Sequence, residues 1–393
     1  MILRADPPLH LTYCTNIHPA QGWNAVDESL RRIAPGLKAK LSPAAPFGIG
    51  LRLGARDARE LLEGDRLARF RAWLDEQGLY VAIINGFPYG PFHGEPVKTN
   101  VYAPDWRAFA RVDYTINLAT ILAALVPDGV TGGISTVPLS YKAWMRSAPP
   151  SDWDAIVGNV LAVLERLVQL RHETGKVLHL DIEPEPDCSL ETTDEAIEFF
   201  ERRLRPNAGS LIDDHIQLCF DCCHCAVEFE DPIDALNRLR RAGVRIGRVQ
   251  LSSALTVVMP NEPEAAHGVA TRLAPFADST YLHQVVEHGG SELRRFPDLD
   301  VALGGVQGAP PFKEDRSWRI HFHVPLFAAE YDGLSSSQDI VSAVIREARE
   351  RPFTQHLEIE TYTWNVLPDG LKMEIGASIA REYEWVLAQW RNV

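Results

Sequence analysis

Short β-branched and aromatic runs alternate with longer segments of helical hydrophobic spacing almost from end to end of the chain. Strands are predicted at residues 9–17, 47–53, 79–84, 133–137, 177–182, 216–220, 246–251 and 357–359. Helices are predicted between them over about 24–41, 55–77, 106–125, 151–173 and 336–349, with a last one running through Trp385. Gly78 is placed to end the second helix, and Ser151, followed by an acid, to cap the fourth. Gly132 and Gly133 read as a tight turn into the fourth strand. Strands that alternate with helices in this way predict a parallel sheet closed into an α/β (β/α)8 TIM barrel.

Two segments depart from that rhythm. The stretch NGFPYGPFHGEPVKTNVYAPDW after the third strand is too rich in glycine and proline for a regular element and is a candidate substrate lid. Between the seventh strand and the helix at 336–349 lie about eighty residues, where a βα loop takes a handful. An insertion over about 256–318 is therefore expected within a single barrel domain spanning 1–393, lying over the C-terminal face of the barrel. Within it, 281–286 and 293–296 flank HGGSE as a hairpin, and 319–325 reads as a further extended piece.

Nearly half of the 393 residues are hydrophobic, enough to bury a large core without disulfide or metal support. The net charge of −14 and the lack of a Lys/Arg run argue against a nucleic-acid partner. The start has no basic-then-apolar leader, and no apolar run approaches the roughly 18 residues of a membrane span, so a cytoplasmic location is expected. Cys219, Cys222, Cys223 and Cys225 cluster too closely to staple distant segments, and their spacing lacks the second pair of a zinc site. No GxGxxG, GxxxxGK[ST] or GxSxG is present, which removes nucleotide cofactors and serine hydrolysis.

What remains is a pattern of acids. Strands five, six and eight each finish in carboxylates, in LHLDIEPEP, LCFDCCHCAVEFE and HLEIETYTW. In a parallel barrel those ends meet at one face, so Glu183, Asp221 and Glu360 converge, and their mutual repulsion calls for one or two divalent cations. Acids after strands also cap helices, and Asp181 and Glu358 lie two residues earlier on the same faces, so alternation alone leaves the choice of ligand open. His224, three residues after Asp221, is the most promising imidazole, with Glu228 beyond it. His321 and His323 share a face of one extended segment, and one of them is a candidate to complete the metal shell. Tyr13, Asn16 and His18 at the end of the first strand, and His93 and Lys98 in the third loop, are candidate contacts for sugar hydroxyls of a small-molecule metabolite. Hard oxygen ligands suit Mg, Mn and Ca alike, while imidazole and the nearby thiols admit Zn.

The segment FDCCHCAVEFEDP resembles the Asp-x-x-His-x-x-x-Glu segment of the xylose-isomerase-like superfamily of sugar isomerases, epimerases and related endonucleases. That resemblance implies a metal held by Glu183, Asp221, the end of strand seven and Glu360, with Gln250 standing where a histidine ligand is usual. LTYCTNIHP, FPYGPFHG, VQLSSAL, YLHQVVE, HFHVPLF and HLEIETYTW together resemble the EboE family of metabolite traffic proteins, over nearly the whole chain. This implies a role in secondary-metabolite precursor handling and contact with a prenyltransferase-like membrane protein. Three functions compete. One is a metal-dependent isomerase or epimerase in which Glu183 or Glu360 moves a proton and His224 assists. The others are a metabolite-binding barrel without turnover, which Gln250 favours, and a metal-dependent hydrolase.

Overall fold

A computed structural model of the chain describes residues 1–94, 96–290, 292–306 and 314–391. In chain order its strands are β1 (Ile2–Ala5), β2 (Pro8–Tyr13), β3 (Phe47–Arg52), β4 (Leu79–Asn85), β5 (Gly132–Thr136), β6 (Leu178–Ile182), β7 (Ile216–Asp221) and β8 (Ile246–Leu251). A second sheet takes β9 (Ser253–Met259), β10 (Val285–Gly289), β11 (Glu292–Phe296), β12 (Arg316–Val324), β13 (Glu330–Tyr331) and β14 (Leu334–Ser336). β15 (His356–Ile359) then returns to the first sheet.

The first sheet runs β1-β2-β15-β8-β7-β6-β5-β4-β3, and every pairing from β2 round to β3 is parallel. The ring is drawn shut by a parallel bridge between Cys14 and Gly50 and by the Arg52 N–H donating to Thr15 Oγ1 at 2.8 Å. This is the (β/α)8 barrel that the alternation predicts. All residues of β3, β4, β5 and β6 are buried, as expected of parallel strands covered by helices outside and by lumen side chains inside.

Several boundaries differ from the sequence reading. The first barrel strand stops at Tyr13, and Thr15–Ile17 turns off as a short 3₁₀ segment that takes Asn16 towards β15. An antiparallel strand, β1, precedes it. The expected helix over 55–77 is two, Ala55–Leu61 and Arg66–Gln77, with Gly64 between them at a positive φ of 61°. Gly78 ends the second of these in the left-handed region. Ser151 caps nothing: its helix starts at Pro150, whose missing N–H costs nothing at that position.

Gly132 and Gly133 are strand residues rather than a turn, and they are glycine for want of room. A Cβ at 132 would lie 2.6 Å from Leu178 Cδ2, and one at 133 would lie 2.5 Å from Asp181 Oδ2. Gly247 in β8 is tighter still, because a Cβ there would fall 1.9 Å from Asp181 Oδ1. Asp181 cannot swing aside, being held by His179 and Arg248 inside the barrel. Gly247→Ala is therefore expected to destabilise by about 1–3 kcal/mol or more. A urea-unfolding midpoint equal to that of the parent protein would refute this.

Only Ser252 separates β8 from β9, so the seventh barrel strand runs almost directly into the second, antiparallel sheet. The hairpin of that sheet is β10 with β11, and it begins at Val285 rather than at 281, since Tyr281 and Leu282 line a cavity instead. Ser291 of HGGSE and residues 307–313 of the expected insertion lie outside the described residues. Arg295 on β11 ties the sheet to the barrel through Glu191 and through Glu228, the latter at 2.6 Å. Among the described residues no helix is long and apolar enough to cross a membrane.

Candidate metal centre

The parallel strands end on one side of the barrel, and three of them bring their terminal carboxyls together there. Glu183 follows β6, Asp221 ends β7 and Glu360 follows β15, and one carboxylate oxygen from each lies within 4.8 Å of the others. Backbone bonds set two of these positions: Glu183 N–H donates to Thr136 O, and Glu360 N–H to Leu251 O, both at 3.1 Å. Asp221 does two jobs. Its Oδ1 caps the helix Cys222–Val227, accepting from His224 N–H and from Ser252 Oγ at 2.8 Å each, while its Oδ2 is buried with no hydrogen-bond partner. Glu360 Oε1 accepts from Asn16 Nδ2 at 2.8 Å and from Asn85 Nδ2 at 3.1 Å. Glu183 Oε2 has no partner.

Burial, and then the neighbouring carboxyls, hold the Glu183 and Glu360 acids well above the usual carboxylate range, and burial raises Asp221 as well. Buried carboxyl oxygens without partners are costly unless a proton or a cation joins them.

Imidazoles border this triad. His323 Nδ1–H donates to Glu360 O at 2.8 Å, which leaves the Nε2 lone pair free, buried and without a partner. His224 Nδ1 faces Pro184 O at 2.7 Å, and His321 Nδ1 faces Gln284 Oε1 at 2.7 Å. The Gln284 amide is oriented by its NH₂ group, which donates to Pro186 O at 3.1 Å and to Tyr102 Oη at 2.9 Å. Both histidines thus carry their proton on Nδ1, and their Nε2 lone pairs face each other at 3.1 Å. Two such lone pairs repel unless a cation or a donated hydrogen joins them, and the Tyr362 hydroxyl lies 3.4 Å from His321 Nε2. A proton is a poor candidate, because burial lowers the His224 pKa to about 3 and takes His321 well below its usual value.

Donor atoms within 4.8 Å of one another form overlapping sets: Asp221 with His224 and His323, Glu185 with His224 and His321, and Cys223 with His321 and His323. Lone pairs oriented by second partners are the arrangement that metal-ligating histidines require. The residues present therefore fit a divalent cation, with Glu183, Asp221 and Glu360 on one side and the three imidazoles on the other. Oxygen and nitrogen donors together are compatible with Mg, Mn and Zn.

The other predicted site residues lie as follows. Asn16, Lys98, Glu183, His224, His321, His323 and Glu360 all line one cavity. His93 stands behind it, joining Tyr281 Oη at 2.8 Å and Asn16 O. His18 is turned away to Ser29 Oγ at 3.2 Å, and Tyr13 packs in the core against Phe47 and Tyr383. Glu228 is taken by Arg295 and lines neither the cavity nor any donor set. Gln250 is fully buried opposite Glu358 on β15 and is likewise in no donor set; the imidazole that the resemblance expects at the end of strand seven comes instead from His323 on β12. All six cysteines are free and buried, and only Cys223 joins a donor set.

Glu185, Asn85 and Tyr362 also line the cavity, and the sequence reading missed them. Glu185 and Tyr362 follow Glu183 and Glu360 by two residues, so an extended continuation past the strand ends would have pointed to them.

The sequence pattern described as the Xylose isomerase-like TIM barrel matches residues 48–285, more than half of the chain. The chain belongs to this family. Among solved structures, a xylose isomerase-like TIM barrel protein from Mycobacterium smegmatis in complex with magnesium shares 12% identity at a TM-score of 0.54, covering 98% of this chain and 97% of that one. A xylose isomerase domain protein from Planctomyces limnophilus shares 15% at 0.51, covering 98% of each chain. An IOLI protein with a bound zinc atom shares 12% at 0.50, covering 98% and 100%. At such identities the likeness is one of fold. No curated protein matches the chain. His321 and His323 reach this cavity from β12 of the second sheet rather than from a barrel strand.

Proposed function

We propose that the chain is a metal-dependent isomerase or epimerase of a polyhydroxy metabolite. The observation that carries this reading is the pair of buried acids, Glu183 and Glu360, facing one cavity beside oriented imidazole lone pairs. A bound divalent cation would supply Lewis acidity to a carbonyl or hydroxyl oxygen of the substrate. Glu183, Asp221, Glu360 and His323 would hold it, and His224 and His321 offer further donors.

The protein groups handle the proton. Glu183 Oε2 takes it from the carbon next to the carbonyl, with a proton affinity that burial has already raised towards the working range. Delivery of a proton from Glu360 to the opposite face of the same carbon gives an epimer, and return to the former carbonyl carbon, with the neighbouring hydroxyl proton passing to the carbonyl oxygen, gives an isomer. Asn16 and Asn85 fix the Glu360 carboxyl and leave it one oxygen for the substrate. The likeness of the chain's motifs to the EboE family supports a substrate from a secondary-metabolite precursor pathway and a prenyltransferase-like membrane protein as partner. The meeting of three imidazoles favours, as a second reading, a metal-dependent hydrolase on the same donors.

Elemental analysis of the purified protein, beside a Glu183→Gln/Asp221→Asn variant, tests the metal. Near-stoichiometric metal is expected in the parent and little in the variant. Incubation of the loaded protein with sugars and cyclitols in D₂O then tests the chemistry, with deuterium expected at the carbon next to the carbonyl. Bound metal without exchange across such a panel would leave a binding component or a hydrolase.

A further inference from the structure

The cavity has two unlike halves. Its floor is Asn16, Asn85, Glu183, His224, His323 and Glu360, all polar. Its wall is apolar: Phe87, Phe92, Val97 and Val101 come from the loop after β4, and Tyr281 and Leu282 from the segment leading into β10. Phe92, Tyr281 and Tyr362 pack with ring centroids 5.1–5.3 Å apart in a small cluster with Val97, separate from the barrel core. The hydroxyls of the wall are already engaged: Tyr281 Oη pairs with His93, Tyr102 Oη donates to Glu185, and Tyr362 Oη lies 3.4 Å from His321 Nε2. The wall therefore offers a ligand ring and aliphatic surface rather than hydrogen bonds.

Charge narrows the choice further. Lys98 is the one cation among the described lining residues, and its ammonium is held by Asp298 at 2.5 Å and by Asp278 O at 3.2 Å. At the helix start nearest the floor, the His224 N–H is taken by Asp221 and the Cys223 N–H by Ser252 Oγ. Sites that take phosphate supply Arg, Lys or a free helix start, and the floor here is acidic.

We infer that this site takes an uncharged amphiphile, with adjacent hydroxyl or carbonyl oxygens at one end for the acidic floor and an apolar body for the aromatic wall, and not a phosphorylated sugar. The inference rests on the metal-site reading above and names the substrate class of that same site.

Hydroxamates with different tails test it, because their head chelates a metal whatever the true substrate is. Manganese-loaded protein is titrated calorimetrically with acetohydroxamate, octanohydroxamate and phosphonoacetohydroxamate. Octanohydroxamate is expected to bind at least tenfold tighter than acetohydroxamate, a gain worth about two buried methylenes, and the phosphono compound no tighter. Phe92→Ser and Val97→Asp are each expected to cut the tail gain to under about threefold while leaving manganese content and acetohydroxamate affinity unchanged, which separates loss of the wall from loss of the fold. Equal binding of the two uncharged probes, a tail gain that survives both variants, or preference for the phosphono compound, with manganese still bound, would overturn the amphiphile and leave the metal site standing. No manganese and no hydroxamate binding would overturn both.

Discussion

Arg248→Met is expected to cost the fold about 3–5 kcal/mol, the usual penalty for stranding a buried charge. Arg248 on β8 has no exposed surface and stands inside the barrel two residues before Gln250. Its Nε donates to Asp181 at 3.0 Å, one Nη to Glu358 at 3.2 Å and the other to Ile84 O at 3.0 Å. Asp181 and Glu358 lie two residues before Glu183 and Glu360, so this guanidinium neutralises the layer beneath the candidate metal donors. Its field also reaches the upper layer, where it opposes the rise in the Glu183 and Glu360 proton affinities. A methionine of similar length fills the space and leaves two carboxyls without a counter-charge. The check is chemical denaturation of Arg248→Met, alone and combined with Asp181→Asn and Glu358→Gln. The triple variant is expected to recover much of the loss, because it removes the stranded charges. A single variant within 1 kcal/mol of the parent would show that Arg248 is not the counter-ion of the barrel interior.

That layering is also where sequence reasoning reached its limit. Parallel strands buried on both faces appear as apolar runs, which is why the barrel order and the long excursion after β8 were legible. Strand-end acids stand out in such runs because water is absent there. Alternation of period two, however, puts Asp181 with Glu183 and Glu358 with Glu360 on the same face, and only the position of Arg248 separates an inner ion-paired layer from an outer unpaired one. Long-range packing was equally hidden. Nothing local tells that His323, on the second sheet, brings a ring nitrogen within 4.8 Å of an Asp221 oxygen, or that Gln250 stays beside Glu358. The glycines of β5 and β8 answer to side chains of β6, and Gly133 and Gly247 both meet Asp181.

Removal of metal is expected to lower the melting temperature by roughly 5 °C at pH 8 and by much less at pH 5.5. A ligand at a thousand times its Kd stabilises by about 4 kcal/mol, and each kcal/mol is worth about 1.2 °C in a domain of this size, at about 2.1 cal/mol/K of unfolding entropy per residue. The pH dependence follows from which groups must lose protons. Glu185 is raised to about 8, Asp221 is raised, and Glu183 and Glu360 lie well above their ordinary values, in each case chiefly through burial. A carboxyl raised in the fold stabilises it fully below the unfolded value and loses that contribution as the pH climbs through the folded one. For Glu185 the window runs from 4.5 to about 8. His224 and His323, lowered to about 3 and about 4, act in the opposite sense: their contribution is complete above 6.5 and is lost as the pH falls towards 4. Between pH 5.5 and 8 the carboxyls govern, so the metal-free fold weakens as the pH rises. The cation moves the other way, since each carboxyl proton it displaces raises its affinity about tenfold per pH unit. Both effects widen the gap between loaded and chelated protein towards pH 8. Melting curves with manganese and with EDTA at the two pH values decide it: coincident curves at pH 8, with no metal by elemental analysis, would mean that protons rather than a cation satisfy these buried acids.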